Sequence, residues 1–104
     1  MPERIQRRRT KGWRMPPGAI YVGRPTKWGN PWQIEPGALS AQGAVDAYRD
    51  SIRQNDAGAR FHHNCPTSEY IREHLSGKDL ACWCPLDQPC HADVLLRIAR
   101  GEQP

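Results

Sequence analysis

Apolar residues recur three and four positions apart between residues 40 and 55. At this spacing Val45, Tyr48 and Ile52 fall on one face of a helix, and charged residues occupy the other face. Ser40 stands just before the pattern, where its hydroxyl can cap the first turn. The pattern therefore predicts an amphipathic helix.

Apolar residues at the helical spacing recur in two later segments. One predicted helix is capped by Thr67 or Ser68 and ends at Gly77. The other covers about residues 91–100. Its inward positions are Val94, Leu95 and Ile98, and Gly101 follows as its stop.

Two short segments instead have strand character. Residues 19–23 are a β-branched and aromatic run between glycines, and residues 78–84 alternate about an apolar centre. In the second segment, one face would carry Leu80, Cys82 and Cys84, and the other Ala81 and Trp83.

The order of these elements predicts an α/β fold with a small single-layer sheet, parallel or mixed, of two to four strands with flanking helices. Residues 5–10 can add an edge strand. If the strands are parallel, the loops after Gly23 and Cys84 leave the sheet at the same carboxyl edge, where open α/β sheets bind ligands. We therefore expect two distant segments to build one site.

The length of 104 residues allows one small domain, expected over residues 15–104 after a basic arm at residues 1–14. No apolar run is long enough for a membrane span, and the basic start lacks the apolar core of a secretory signal. These features predict a cytoplasmic protein, in the host cytoplasm if it is encoded by a phage. In that compartment the four cysteines are expected to be thiols or metal ligands.

Positive charge is concentrated at the start of the chain, although the net charge is only +4. The residues predicted to contact nucleic acid are Arg7, Arg8, Arg9 and Lys11. A basic cluster of this kind attracts phosphates without reading sequence. The alternative is a solvated terminus that aids solubility.

The loop after Gly23 is rich in Gly, Asn and Pro, yet it carries two tryptophans and two cations. Its predicted ligand-binding residues are Arg24, Lys27, Trp28, Gly29 and Asn30. Backbone N–H groups and the cations would hold phosphate, and the indole would stack on a base. Alternatively, the tryptophans complete a core that has one Phe.

A second dense segment, residues 82–93, holds three cysteines and a histidine. One interpretation is a zinc site with the ligands Cys82, Cys84, Cys90 and His91. Its spacing is unusual, because adjacent helical residues point about 100° apart. His62, His63 or Cys65 could then replace a poorly aimed ligand.

The other interpretations of this segment need no metal. Cys90 at a helix start can act as a nucleophile or mark an anion site, with His91 and Asp93 as its catalytic partners. Cys82 and Cys84 can also pack the sheet as small apolar groups.

These two motifs together resemble a known family, domain of unknown function 4326, which is found in bacteria and their phages. The matching residues are Gly23-Arg24-Pro25, Lys27-Trp28-Gly29-Asn30-Pro31, Cys82-Trp83-Cys84, Pro89-Cys90-His91 and Asp93-Val94-Leu95. The resemblance covers roughly residues 20–96 and leaves out residues 1–14 and the linker at 62–65. It implies a small, often phage-encoded cytosolic domain and no particular reaction.

The sequence thus predicts a domain that binds a nucleotide or nucleic-acid phosphate at the carboxyl edge of its sheet and can act on it. The alternative is a non-enzymatic protein that contacts a host protein, with structural cysteines that can hold zinc. Neither hypothesis involves a membrane.

Overall fold

The computed structural model describes residues 2–23, 26, 28–30, 40–58 and 66–104. Three helices and a three-stranded parallel sheet make up this part of the chain. In chain order the elements are β1 (Arg4–Gln6), β2 (Ile20–Tyr21), α1 (Ala41–Asp56), α2 (Ser68–Leu75), β3 (Leu80–Cys82) and α3 (His91–Ala99). The predicted α/β fold is confirmed.

The strands lie in the order β1-β3-β2, so the last strand in the chain is the central one. Ala81 of β3 is the register partner of Ile5 on one side and of Tyr21 on the other. Both pairs are parallel, which requires a crossover from β2 to β3, and α1 and α2 lie on that crossover. The strands are shorter than the alternating patterns at 19–23 and 78–84 suggested.

The basic arm is not separate from the domain along its whole length. Residues 4–6 form β1, one position earlier than the start of the expected edge strand, and pair with β3. The main-chain N–H of Arg7 also donates to the Cys82 carbonyl at 2.7 Å. This pairing fixes the first part of the arm against the central strand.

The helix limits follow from local hydrogen bonds at the ends. The Ser40 hydroxyl accepts from the Gly43 N–H at 3.0 Å and caps α1, and Thr67 caps α2 in the same way. At the end of α3, Gly101 has a φ of 107°. This left-handed residue allows the Glu102 N–H to bond the Arg97 carbonyl, an arrangement that terminates the helix.

The pleat gives the sheet two different faces. Leu80 and Cys82 point to the face that the helices cover, where α3 packs against the sheet and both other helices. The inward positions predicted from the helical period are buried there, as are Ile71 and Leu75 of α2: Val45, Tyr48, Ile52, Val94, Leu95 and Ile98. Tyr21, Ala81 and Trp83 alternate with these strand positions and belong to the opposite face.

Within the described part of the chain, no helix is both long and apolar enough to cross a lipid bilayer.

Candidate functional site

Three cysteine side chains meet where β3 ends and α3 begins. Cys82 is the last residue of β3, Cys84 lies in the following turn, and Cys90 is the N-cap of α3. Their Sγ atoms all lie within 4.8 Å of one another. The Cys82 and Cys90 Sγ atoms are 3.0 Å apart, well beyond the roughly 2.0 Å of a disulfide bond. The three side chains are therefore a cluster of free thiols.

His91 joins this cluster to the neighbouring strand. Its Nε2 lies 2.7 Å from the main-chain carbonyl oxygen of Val22, and its Nδ1 lies 3.7 Å from the Cys90 Sγ. A carbonyl oxygen can only accept, so Nε2 carries a proton in this contact. The His91 ring also makes a T-shaped contact with the Tyr48 ring at a centroid distance of 5.3 Å.

The three thiols differ in the direction in which their pKa values are shifted. The pKa of Cys84 is lowered because the Cys82 and Cys90 thiols donate hydrogen bonds to its sulfur. Hydrogen bonding to Cys84 and burial raise the pKa of Cys82. Hydrogen bonding to the other two sulfurs and burial raise that of Cys90. Cys84 is therefore the thiol that ionises most readily. Three thiolates this close together would repel one another unless a cation lay among them.

Arg4 stabilises the turn that joins Cys84 to α3. Its guanidinium donates to the carbonyl oxygens of Pro85 at 3.2 Å and Leu86 at 2.6 Å, and to the Asp93 carboxylate at 3.1 Å. The Arg4 side chain is 8% exposed. This arginine of the basic arm is thus engaged inside the domain, and Asp93, predicted as a catalytic partner, is its ion-pair partner.

Replacing Arg4 with alanine should lower the free energy of unfolding by about 1–2 kcal/mol, because three hydrogen bonds to a charged donor are lost at a partly exposed site. Urea denaturation measures this. Arg53→Ala is a matched control, since Arg53 pairs with Asp50 at an exposed position and should cost less than about 0.5 kcal/mol. Equal losses in both variants would contradict the structural role of Arg4.

The described residues of the loop after Gly23 make contacts within the domain. The Trp28 ring is 5% exposed and stacks on Tyr70 at a centroid distance of 5.4 Å. The Gly29 N–H donates to the Thr26 carbonyl, and the Asn30 amide donates to the Ala44 carbonyl at 3.0 Å. The structure thus gives these three predicted ligand-binding residues partners within the domain. Arg24 and Lys27 lie outside the described residues.

Gly23 has a steric role at the end of β2. The phenol ring of Tyr21 lies over its α-carbon, and a β-carbon at this position would collide with that ring. The absence of a side chain at Gly23 therefore lets Tyr21 lie along the opposite sheet face.

On that face, arginines and aromatic rings alternate at the carboxyl edge of the sheet. The Arg7 guanidinium carbon lies 4.6 Å from the ring centroids of both Tyr21 and Trp83. The Arg9 guanidinium carbon lies 4.8 Å from the Trp83 centroid. We call these four residues the arginine–aromatic edge. Trp83 is 39% exposed.

The arginine–aromatic edge extends the sequence prediction. Arg7 and Arg9 were expected to contact nucleic acid, and Arg8 and Lys11 beside them are exposed. Tyr21 and Trp83 were missed as site residues. The sequence feature that could have identified Trp83 is its position between Cys82 and Cys84, because strand alternation directs its ring away from the sulfurs.

The residues predicted as catalytic are close together but differ in access. Cys90 and His91 are buried, whereas the Asp93 carboxylate is half-exposed. A cleft of about 570 Å³ runs past Cys90 and Asp93 between α1 and α3. Its charged lining residues are Arg4, Arg49, Asp87, Asp93, Arg97 and Glu102. Among the described residues that line the cleft, three cations and three acids balance, so this part of the lining favours neither anions nor cations.

The possible replacement ligands, His62, His63 and Cys65, lie outside the described residues. Of the metal ligands predicted together, Cys82, Cys84 and Cys90 form one group, and His91 approaches it through its Nδ1 atom, 3.7 Å from the Cys90 Sγ. The 100° step between adjacent helical residues does not apply to Cys90 and His91, because Cys90 is extended, with φ −147° and ψ 144°, rather than helical.

The fold and site define a small α/β domain with a cysteine–histidine cluster beside the carboxyl edge of its sheet. The chain belongs to the family described as Domain of unknown function (DUF4326), which matches residues 5–101. The family assignment from the two motifs is confirmed. The match is wider than the predicted span of 20–96 and includes residues 5–14 and the linker at 62–65.

Comparisons with curated proteins and with solved structures give no match.

Proposed function

We propose that this domain binds single-stranded nucleic acid through the arginine–aromatic edge. The arginines would contact phosphates, and Trp83 would offer an exposed ring to a base. The observation that carries the proposal is that Arg7 contacts the rings of both Tyr21 and Trp83, and Arg9 contacts the Trp83 ring, at the carboxyl end of three parallel strands. Arginines interleaved with aromatic rings are typical of surfaces that bind unpaired strands.

The charge of Arg7 supports this interpretation. Its Nε is buried and makes no hydrogen bond among the described residues. An atom this buried does not itself reach a phosphate oxygen, so Arg7 contributes through its positive charge and its contacts with the Tyr21 and Trp83 rings. Arg8, Arg9 and Lys11 are exposed beside it and add positive potential.

A single strand is favoured over a duplex because base stacking on Trp83 requires an unpaired, accessible base. A free nucleotide shares the phosphate and base but offers fewer phosphates to the cluster. Arg24 and Lys27, which follow β2 in the sequence and lie outside the described residues, stay predicted contributors. The proposal concerns binding, and the burial of Cys90 and His91 gives no support for a catalytic step.

Simultaneous replacement of Arg8, Arg9 and Lys11 with alanine should weaken binding of a labelled single-stranded oligonucleotide at least 10-fold at low salt. Each lost phosphate contact should also reduce the slope of log affinity against log salt by about 0.7. Trp83→Ala should weaken binding by roughly 5- to 150-fold, the effect of losing one stacked base. Fluorescence anisotropy over a salt series measures both.

The matched control replaces Arg49, Arg53 and Arg100 with alanine. It removes the same charge from α1 and from the end of α3, where each arginine pairs with an exposed carboxylate. Affinity should change less than about threefold. Equal losses in the two triple variants would reduce the result to a net-charge effect, and tighter binding of duplex or of free nucleotide than of single strand would overturn the proposal.

The phage origin, the cytoplasmic location and the alternative function as a host-interaction protein stay predictions.

A further inference from the structure

We propose that Cys82, Cys84, Cys90 and the Nδ1 atom of His91 bind one zinc ion. This proposal does not rest on the proposed nucleic-acid surface, because the pleat puts the sulfurs and the Trp83 ring on opposite faces of the sheet. Three sulfurs converge within 4.8 Å of one another from the end of β3, the turn after it and the start of α3, and His91 Nδ1 lies 3.7 Å from one of them, the Cys90 Sγ.

The distances suit a tetrahedral ion. Zinc–sulfur bonds of about 2.3 Å and a zinc–nitrogen bond of about 2.1 Å imply S–S edges of about 3.8 Å and S–N edges of about 3.6 Å. The Nδ1 of His91 lies 3.7 Å from the Cys90 Sγ, and the three Sγ atoms lie within 4.8 Å of one another. Cys82 and Cys90, now 3.0 Å apart, would separate by about 0.8 Å around the ion.

His91 is oriented as a metal ligand is. Its Nε2–H donates to the Val22 carbonyl oxygen at 2.7 Å, so in the neutral ring the lone pair is on Nδ1, which faces Cys90. Ligating histidines commonly donate their second ring N–H to a carbonyl in this way, which fixes both tautomer and orientation. The T-shaped contact with Tyr48 holds the ring from the side.

The backbone explains how two adjacent residues can serve one ion. Cys90 is the N-cap of α3 and has extended dihedral angles, whereas His91 is the first helical residue. The two side chains therefore do not follow the 100° step between helical neighbours. Cys82 and Cys84 share a side because they are two residues apart at the end of a strand.

The chemistry of the donors selects the metal. Three thiolates and an imidazole form a soft to borderline set that favours zinc over magnesium or calcium. The divalent charge would offset the repulsion among three neighbouring thiolates. With all four positions taken by protein atoms, the site is closed and structural rather than catalytic.

The test begins with the complete chain, purified without chelator and dialysed into metal-free buffer. Elemental analysis should find about one zinc per chain, and iron in its place would overturn the assignment. In protein labelled with ¹⁵N-histidine and loaded with ¹¹³Cd, coupling between cadmium and Nδ1 of His91 should appear. These two measurements need no variant, so misfolding of a variant cannot obscure the answer.

Variants then identify the fourth ligand. His91→Ala should weaken zinc binding at least about 100-fold, since even loss of an outer-shell partner costs 10- to 100-fold. The matched control is Cys65→Ser, which should keep one zinc per chain. Zinc retained by His91→Ala but lost from Cys65→Ser would overturn the role of His91. A folded wild-type protein without metal, or with a Cys82–Cys90 disulfide, would overturn the site.

Discussion

Stripping the metal from the proposed zinc site is expected to unfold the domain or to lower its melting temperature by more than about 20 °C. The four ligands connect β3, the turn after it and α3, and His91 adds a hydrogen bond to the end of β2. Structural zinc contributes about 10–16 kcal/mol in small zinc-binding peptides, as much as the whole 5–15 kcal/mol stability of a typical domain. Circular dichroism during heating, with and without a zinc chelator, measures the change.

The control for this experiment is the same chelator already saturated with zinc, which should leave the melting curve unchanged. Adding zinc back to the stripped protein should restore the original transition. A melting temperature within about 3 °C of the untreated value, in protein shown by elemental analysis to have lost its metal, would contradict a structural role for the ion.

Local patterns in the sequence were sufficient to predict the helices. Ser40 and Thr67 cap α1 and α2, and the residues spaced at the helical period are the buried ones. The parallel pairing of β2 and β3 also followed from the order of elements. Strand limits were less predictable, because pairing with β3, and not local alternation, decides where β1 and β2 end.

The loop after Gly23 shows why a composition rich in Trp and Asn does not by itself identify a ligand site. Both readings of Trp28 were open from the sequence, because an indole can stack on a base or fill a core. Only tertiary contacts decide its position: Tyr70 and His74 come from α2, some 40 residues further along the chain. In the structure, the Trp28 ring packs against them.

The convergence of the cysteines was predictable only in part. Alternation along β3 put Cys82 and Cys84 on one side, but the position of Cys90 depends on the turn that Arg4 holds from a distant strand. Hydrogen bonds between residues that lie more than 80 positions apart in the chain leave no local pattern in the sequence. The spacing of the cysteines and His91 in the sequence likewise does not reveal that Cys90 is an N-cap with an extended backbone.

The two proposed sites share the segment Cys82-Trp83-Cys84. A metal held by both cysteines would fix the backbone on either side of Trp83 and so orient its ring on the opposite face. The arginine–aromatic edge would then be rigid on one side, which reduces the entropy lost when a strand of nucleic acid is bound. The unusual single-residue spacing of the two cysteines is consistent with this arrangement.

Tyr48→Ala is expected to reduce the free energy of unfolding by about 3–5 kcal/mol, the cost of removing a large aromatic side chain from a packed core. Tyr48 is fully buried, its ring makes a T-shaped contact with His91, and its hydroxyl donates to the Trp28 carbonyl at 2.9 Å. It therefore links α1 both to the loop after β2 and to α3.

Tyr48→Phe separates the two contributions, because it keeps the ring and removes only the hydrogen bond to Trp28. Its cost should be about 1 kcal/mol, the usual net value of one buried hydrogen bond. Urea denaturation of both variants gives the two free energies. If Tyr48→Phe cost as much as Tyr48→Ala, the hydroxyl and not the packing of the ring would hold the loop, whereas a cost below about 1 kcal/mol for Tyr48→Ala would contradict its place at the centre of the core.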